Sequence, residues 1–270
     1  MASRSPRLSP ESSFFSALRS QRRIIGALIL RELHARFGRH NIGYLWMIAE
    51  PLMLATVIST LHYVGHVEGG SGMGPFPFTV IGYCTFIIFR NTFNRAPAMI
   101  QGAAPLMHHR MITPFDVVLA NAVVEMCGCF SSLVLLMTVA VILGIAEPPV
   151  RPLYLLFAVF QMSWLTLSMS LIVASYAYDN HLLERFVHPF SYFMIPLSGA
   201  FFTMSFLPIW ARDYMAWNPM MSIFETARYG QFKSGTDDHI HTGYTIAVCA
   251  AFTYWGLLAI RRLRTRIHVS

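Results

Sequence analysis

The chain has 270 residues, of which 55% are hydrophobic and 14% aromatic, and only 12% carry charge, against the roughly 25% usual in soluble domains. That balance excludes a mainly water-facing surface and points to a polytopic membrane protein. The net charge of +7 comes from basic residues at the ends of apolar runs, a distribution that reports topology and contact with anionic lipid rather than nucleic-acid binding.

Residues 1–40 form an N-terminal segment rich in arginine, with Arg19, Arg22, Arg23, Arg31, Arg36 and Arg39 around the apolar run 24–30. That run is too short to cross a bilayer. Ile25, Leu28, Ile29 and Leu33 recur at helical spacing, which predicts an amphipathic helix lying on the membrane surface. No apolar core followed by a small-residue cleavage site precedes residue 40, so no removable signal peptide is expected. Residues 41–260 contain six stretches near the ~20-residue length of a span: 43–64, 76–95, 117–145, 153–177, 190–209 and 243–260. Residues 261–270 are a basic tail. The expected fold is therefore all-α and polytopic, with six transmembrane helices and an N-terminal interfacial helix. If both termini are cytoplasmic, sixteen of the twenty basic residues fall on the inner side, and six spans return the chain to that side. Cys84, Cys127, Cys129 and Cys249 all lie inside apolar runs, as buried thiols do, not as members of a disulfide framework.

The first span is interrupted by Glu50 and Pro51. A charge in hydrocarbon costs about 2.5–3.5 kcal/mol on insertion scales, so it requires a partner. Counting about 1.5 Å per helical residue, Glu50, Arg90 and Glu125 fall in one layer about 9–12 Å from the inner ends of their spans. They are expected to pair inside the bundle, either as a brace or as the lining of a polar entrance. Between the second and third spans, Pro97, Pro105 and Pro114 punctuate segment 94–115 and predict a short helix over 106–112. Segment 210–242 combines Trp210, Tyr214, Trp217, Phe224, Tyr229 and Phe232 with Arg212, Asp213, Glu225 and Arg228. The break at Asn218-Pro219 predicts a short re-entrant helix before the last span, with Glu225 and Arg228 sharing one face.

Several chemistries lack their motifs. There is a single lysine, Lys233, and "GQFKSG" lacks the glycine that must precede it in a phosphate-binding loop. His62 and His66 stand one helical turn apart, as two metal ligands could, but the pair is a weak signal beside interfacial histidines that face water. Asp237-Asp238 is the only adjacent acidic pair, which is too little for a glycolipid-processing enzyme. No cofactor is expected in the chain itself.

The stretch "RELHARFGRHNIGYLWMIAEPL" resembles the start of ABC type-2 exporter membrane domains, with Gly43, Trp46 and Pro51 at the positions of the Gly-x-x-Trp-x-x-x-x-Pro pattern. Glu50 before the proline is similar to the capsular polysaccharide exporters. "LSGAFFTMSFLP" (197–208) and "WNPMMSIFETARYG" (217–230) resemble two further stretches of that family, in the same order. The resemblance implies an inner-membrane half-transporter that pairs with a second copy of itself and with a separate ATPase subunit holding ATP and magnesium. It implies a lipid-linked polysaccharide as substrate, with capsule favoured over O-antigen, teichoic acid or a small-molecule drug, and periplasmic and outer-membrane export proteins as further partners. On this basis Trp46, Glu50, Arg90, Glu125, Trp210, Arg212, Trp217, Glu225 and Arg228 are candidates for the substrate path. Arg22, Arg23, Leu106, Met107, His108, His109, Arg110 and Met111 are candidates for contact with the ATPase, the last six within a coupling helix. The region 210–242 is expected to be a periplasmic gate.

Overall fold

The computed structural model describes residues 10–37, 53, 57, 72–107 and 112–267. Apart from Met53 and Val57, the expected first span, with Trp46 and Glu50, lies outside the described residues, as do His66 and His108 to Met111. Among the described residues the chain is helical, with no strand. The helices are α1 (Pro10–Phe37), α2 (Pro75–Met107), α3 (Pro114–Ile142), α4 (Pro152–Ala177), α5 (His181–Ser198), α6 (Ile209–Met215), α7 (Pro219–Gln231) and α8 (Thr242–Ile267), with one 3-10 turn at Met204–Phe206.

The starts of these helices are written in the sequence. Thr113 and Asp116 form a reciprocal capping box, with the Thr113 amide donating to Asp116 Oδ2 at 2.9 Å and Pro114 in the first turn. Asn180 accepts from the Leu182 amide at 3.0 Å, and Asn218 accepts from the Met220 amide at the same distance. Among the described residues three helices, α3, α4 and α8 through Thr265, are long and apolar enough to cross a membrane.

Two helices depart from the expected boundaries. Pro97 and Pro105 do not end α2, which runs for 33 residues, about 50 Å at 1.5 Å per residue. Buried packing on both sides of Pro97 holds the helix across the lost hydrogen bond, as membrane bundles permit. Leu106 and Met107 are consequently the last turn of α2. The fifth element spans 181–198 and not 190–209. Glu184, Arg185 and two histidines lower the hydropathy of its first turns, while Gly199 at φ 82° stops it.

One hydrophobic cluster centres on α2 from Phe78 to Phe93 and draws in α3, α4 and α7. A second gathers Ala96, Ile100 and Met107 of α2 with Val118 of α3, Leu171 of α4 and Leu263 of α8. This second cluster defines one end of the bundle. Helix α1 lies against the start of α3 at that end: Gln21 donates to Asp116, Asn121 donates to Glu32 at 2.8 Å, and Arg95 stands 3.8 Å from the same carboxylate. Leu28 is the buried anchor of α1, and Ile25, Ile29 and Leu33 are half-buried beside it. Arg22, Arg23, Arg261, Arg262 and Arg264 therefore gather, exposed, at this one end.

At the opposite end α2 touches backbone directly. A Cβ on Gly82 would stand 2.0 Å from the Ala200 carbonyl oxygen, so no side chain fits there. Gly82→Ala is expected to cost about 1–3 kcal/mol as overpacking. Gly102, in the same helix, has nothing within 4 Å of a built Cβ. Gly102→Ala should be neutral or stabilising by up to about 1 kcal/mol through helix propensity. Thermal unfolding of both variants in detergent checks the contrast; equal midpoints would remove the close approach.

Candidate functional site

From Gly199 the chain leaves regular helix for ten residues, interrupted only by the 3-10 turn, and then makes two short helices, α6 of 7 residues and α7 of 13. Irregular backbone at the end of a membrane bundle needs partners for its carbonyls, and Arg228 supplies them. Its guanidinium donates through Nη2 to the carbonyl oxygens of Gly199 at 2.5 Å and Ala200 at 3.2 Å, and through Nη1 to Glu225 Oε1 at 3.1 Å. The same Glu225 oxygen accepts from the Met204 amide at 3.0 Å. Phe78 of α2 places its ring 4.4 Å from the guanidinium carbon. Arg228 is only 2% exposed. Glu225 and Arg228 thus share one helix face, as their spacing predicts, and that face points into the protein, where the two bind each other and the preceding turn.

The aromatic residues of the same region divide into two sets. Trp210, Tyr214 and Trp217 project outward, 69%, 78% and 74% exposed, while Phe224 and Phe232 are buried. Trp217 meets Tyr244 edge-on with centroids 6.1 Å apart, and Tyr244 Oη donates to the Trp217 carbonyl at 2.7 Å. Arg212 turns back on its own loop, donating to the Leu207 and Ser205 carbonyls, each at 2.8 Å. Tyr229 lies beneath Arg151, whose guanidinium carbon is 4.0 Å from the ring centroid and whose Nη1 donates to the Tyr229 carbonyl at 3.0 Å. Arg151 was not singled out by sequence reasoning; a lone arginine before Pro152 carries no local sign of a partner 78 positions away. Trp210, Tyr214 and Trp217 thus present exposed indole and phenol rings.

Around the middle of α2, two members of the expected charged layer, Arg90 and Glu125, meet different partners instead of each other. Glu125 is buried and accepts from Asn91 Nδ2 at 2.5 Å. Arg90 is half-buried and sits 4.5 Å over the ring of Tyr192 on α5. Consecutive residues of a helix point about 100° apart. Arg90 therefore meets α5 while Asn91 meets α3. Glu50 lies outside the described residues. Asn91 was the member that sequence reasoning missed, because an amide beside an arginine looks like a span-end residue.

The candidates for ATPase contact sit at the basic end. Arg22 and Arg23 are exposed on α1 and Leu106 is half-buried, whereas Met107 is 7% exposed inside the second core cluster.

Residues 23–232 match the family model described as ABC-2 type transporter. The chain is 30% identical over 252 residues to the capsule polysaccharide export inner-membrane protein CtrC of Neisseria meningitidis serogroup B, covering 93% of this chain and 95% of that protein. It is 29% identical to the capsule polysaccharide export inner-membrane protein BexB of Haemophilus influenzae, with coverage of 93% and 95%. The polysialic acid transport protein KpsM of Escherichia coli is 26% identical, with coverage of 93% and 96%.

The Arg228 cluster yields a stability prediction. Arg228→Met strands the buried Glu225 carboxylate and two carbonyls, so about 3–5 kcal/mol should be lost. Glu225→Gln keeps an acceptor for the Met204 amide and should cost less. Trp210→Ala on the exposed face should stay within about 0.5 kcal/mol. Unfolding midpoints of the purified variants give the order; Arg228→Met matching wild type would show the pair to be dispensable.

Proposed function

Because this chain belongs to the ABC-2 type transporter family, we propose that it is the membrane subunit of an ATP-driven exporter carrying lipid-linked capsular polysaccharide across the bacterial inner membrane. The observation that carries this reading is the match over 93% of the chain to proteins named for capsule polysaccharide export. In this reading ATP and magnesium are held by a separate ATPase subunit, in keeping with a sequence that has no phosphate-binding loop. A second copy of the chain completes the conduit, and periplasmic and outer-membrane proteins continue the path.

In this reading six spans cross the membrane and the arginine-rich end faces the cytoplasm, as the clustering of Arg22, Arg23, Arg261, Arg262 and Arg264 supports. The ATPase docks there on α1 and on the last turn of α2, through Arg22, Arg23, Leu106 and the segment from His108 to Met111. The face of α2 carrying Gln101, Gly102 and Pro105 is exposed and free of charge, which suits close contact with a protein partner. Trp46, Glu50, Arg90 and Glu125 line the inner entrance, where a guanidinium attracts an anionic head group and carboxylates prevent it from binding too tightly. At the far end α6 and α7 form a re-entrant gate. The tie between Glu225 and Arg228 sets its backbone, and Trp210 and Trp217 offer stacking surfaces to the sugars as they leave.

Two experiments test this reading. Reconstituted with its ATPase, the chain should raise ATP hydrolysis when lipid-linked capsular polysaccharide is added, and not when the lipid-free polymer is added; Glu50→Gln should assemble normally but lose the stimulation. Equal response to both polymers, or full stimulation in Glu50→Gln, would refute the proposed entrance. Separately, Leu106→Glu should reduce co-purification of the ATPase several-fold while leaving the thermal midpoint of the isolated chain unchanged. Undiminished recovery of the ATPase would remove Leu106 from the contact.

A further inference from the structure

An apolar groove of about 340 Å³ opens on the outer surface between α2, α4, α5 and α8. Its walls include Phe93 of α2, Ile172 of α4, Phe186 and Phe190 of α5, and Trp255 of α8, with no charged residue among them. The α5 residues recur at i and i+4, so one helix face forms one wall. Phe186 and Trp255 are more than half exposed, a large apolar area for a groove that no described residue fills.

The groove does not end blindly. At its wall Trp255 Nε1 donates to Tyr176 Oη at 3.3 Å, and Tyr176 also lines a second, small pocket that holds the polar side chains of Ser175, Asp179 and Arg262 beside Ala259 and Leu263. Trp255 and Tyr176 therefore stand at the junction of an apolar slot and a pocket with polar side chains, where amphipathic aromatic rings settle at a membrane interface. Arg262 is exposed in that pocket, and Arg261 and Arg264 flank it on the last turns of α8. Asp179, the acidic member, already has an interaction of its own. The pair of cavities has the order of a phospholipid: acyl chain, interfacial ring, anionic head.

We propose that this groove and pocket form a binding site for an anionic membrane phospholipid, with one acyl chain along Phe93, Phe186 and Phe190 and the phosphate at Arg262. Basic pockets between transmembrane helices on the cytoplasmic side hold anionic head groups in this way. The site lies on the opposite side of the Arg90 helix position from Glu125: Phe93, one turn along from Arg90, packs on Phe190 with centroids 5.5 Å apart. Lipid bound there would brace the first turns of α5 against α2 and α4. The inference rests on membrane embedding alone and not on the identity of the exported polymer.

Native mass spectrometry of the full chain in detergent, titrated with phosphatidylglycerol or phosphatidylcholine of matched acyl chains, tests the site. One phosphatidylglycerol per chain should be retained at activation energies that strip phosphatidylcholine. Arg262→Gln, a surface change that leaves the fold intact, should weaken phosphatidylglycerol binding about fivefold, the contribution of one basic residue near an anionic lipid. Ile172→Trp, which fills the groove, should weaken both lipids. Equal retention of the two lipids by wild type, or unchanged retention in both variants, would overturn the proposal. So would quantitative disulfide linkage between copies carrying Phe186→Cys, since the groove would then be covered by a second chain.

Discussion

The buried guanidinium of Arg228 is the contact on which the end of the molecule opposite the arginine cluster depends. Moving such a charge out of water carries a penalty of several kcal/mol, and the site offsets it with a carboxylate, two carbonyl oxygens and an aromatic face. The same contacts satisfy backbone that no helix satisfies. Helix α5 has just ended at Gly199, α7 has not yet begun, and α2 comes so close at Gly82 that no side chain fits between them. Three elements distant in sequence thus meet at one side chain.

That contact also explains why the two sequence stretches 197–208 and 217–230 belong together. The first supplies the turn and its carbonyls, and the second supplies the acid and base that close it. Read one at a time they are an apolar run with a glycine and a short helix with two charges. Spacing was enough to place Glu225 and Arg228 on one face, but not to say which way the face points. The partner carbonyls are 28 and 29 positions away, beyond any local pattern.

Elsewhere, legibility follows the same division between local and distant causes. The starts of α3, α4 and α8 were readable within a few residues: the rise in hydropathy marks all three, a first-turn proline marks α3 and α4, and a capping box marks α3. Helix α5 was misplaced by about nine residues at its start because its amphipathic opening turns read as a loop. At α2 the proline rule gave the wrong boundary, since tertiary packing on both flanks outweighs one missing hydrogen bond. The layer around Glu125 was half legible: the carboxylate and Arg90 stand out by charge, while the neutral Asn91 that bonds to Glu125 does not. Phe190 and Trp255 had no individual signature at all, because a groove is made by the relative placement of four helices.

The proline at position 97 has a mechanical meaning. Its missing amide leaves the Phe93 carbonyl without its usual helical donor, and this vacancy falls between the two hydrophobic clusters, after Phe93 in one and beside Ala96 in the other. Helix α2 is therefore a single strut clamped at both ends with its most compliant section between the clamps. A sideways push at Met107 would be taken up as bending near Pro97 and delivered to Gly82 as a change of angle rather than a translation. The contact least able to absorb a change of angle is the one between bare backbone at Gly82 and the Ala200 carbonyl, so the strut's far end works as a hinge pin pressed against the turn that Arg228 holds.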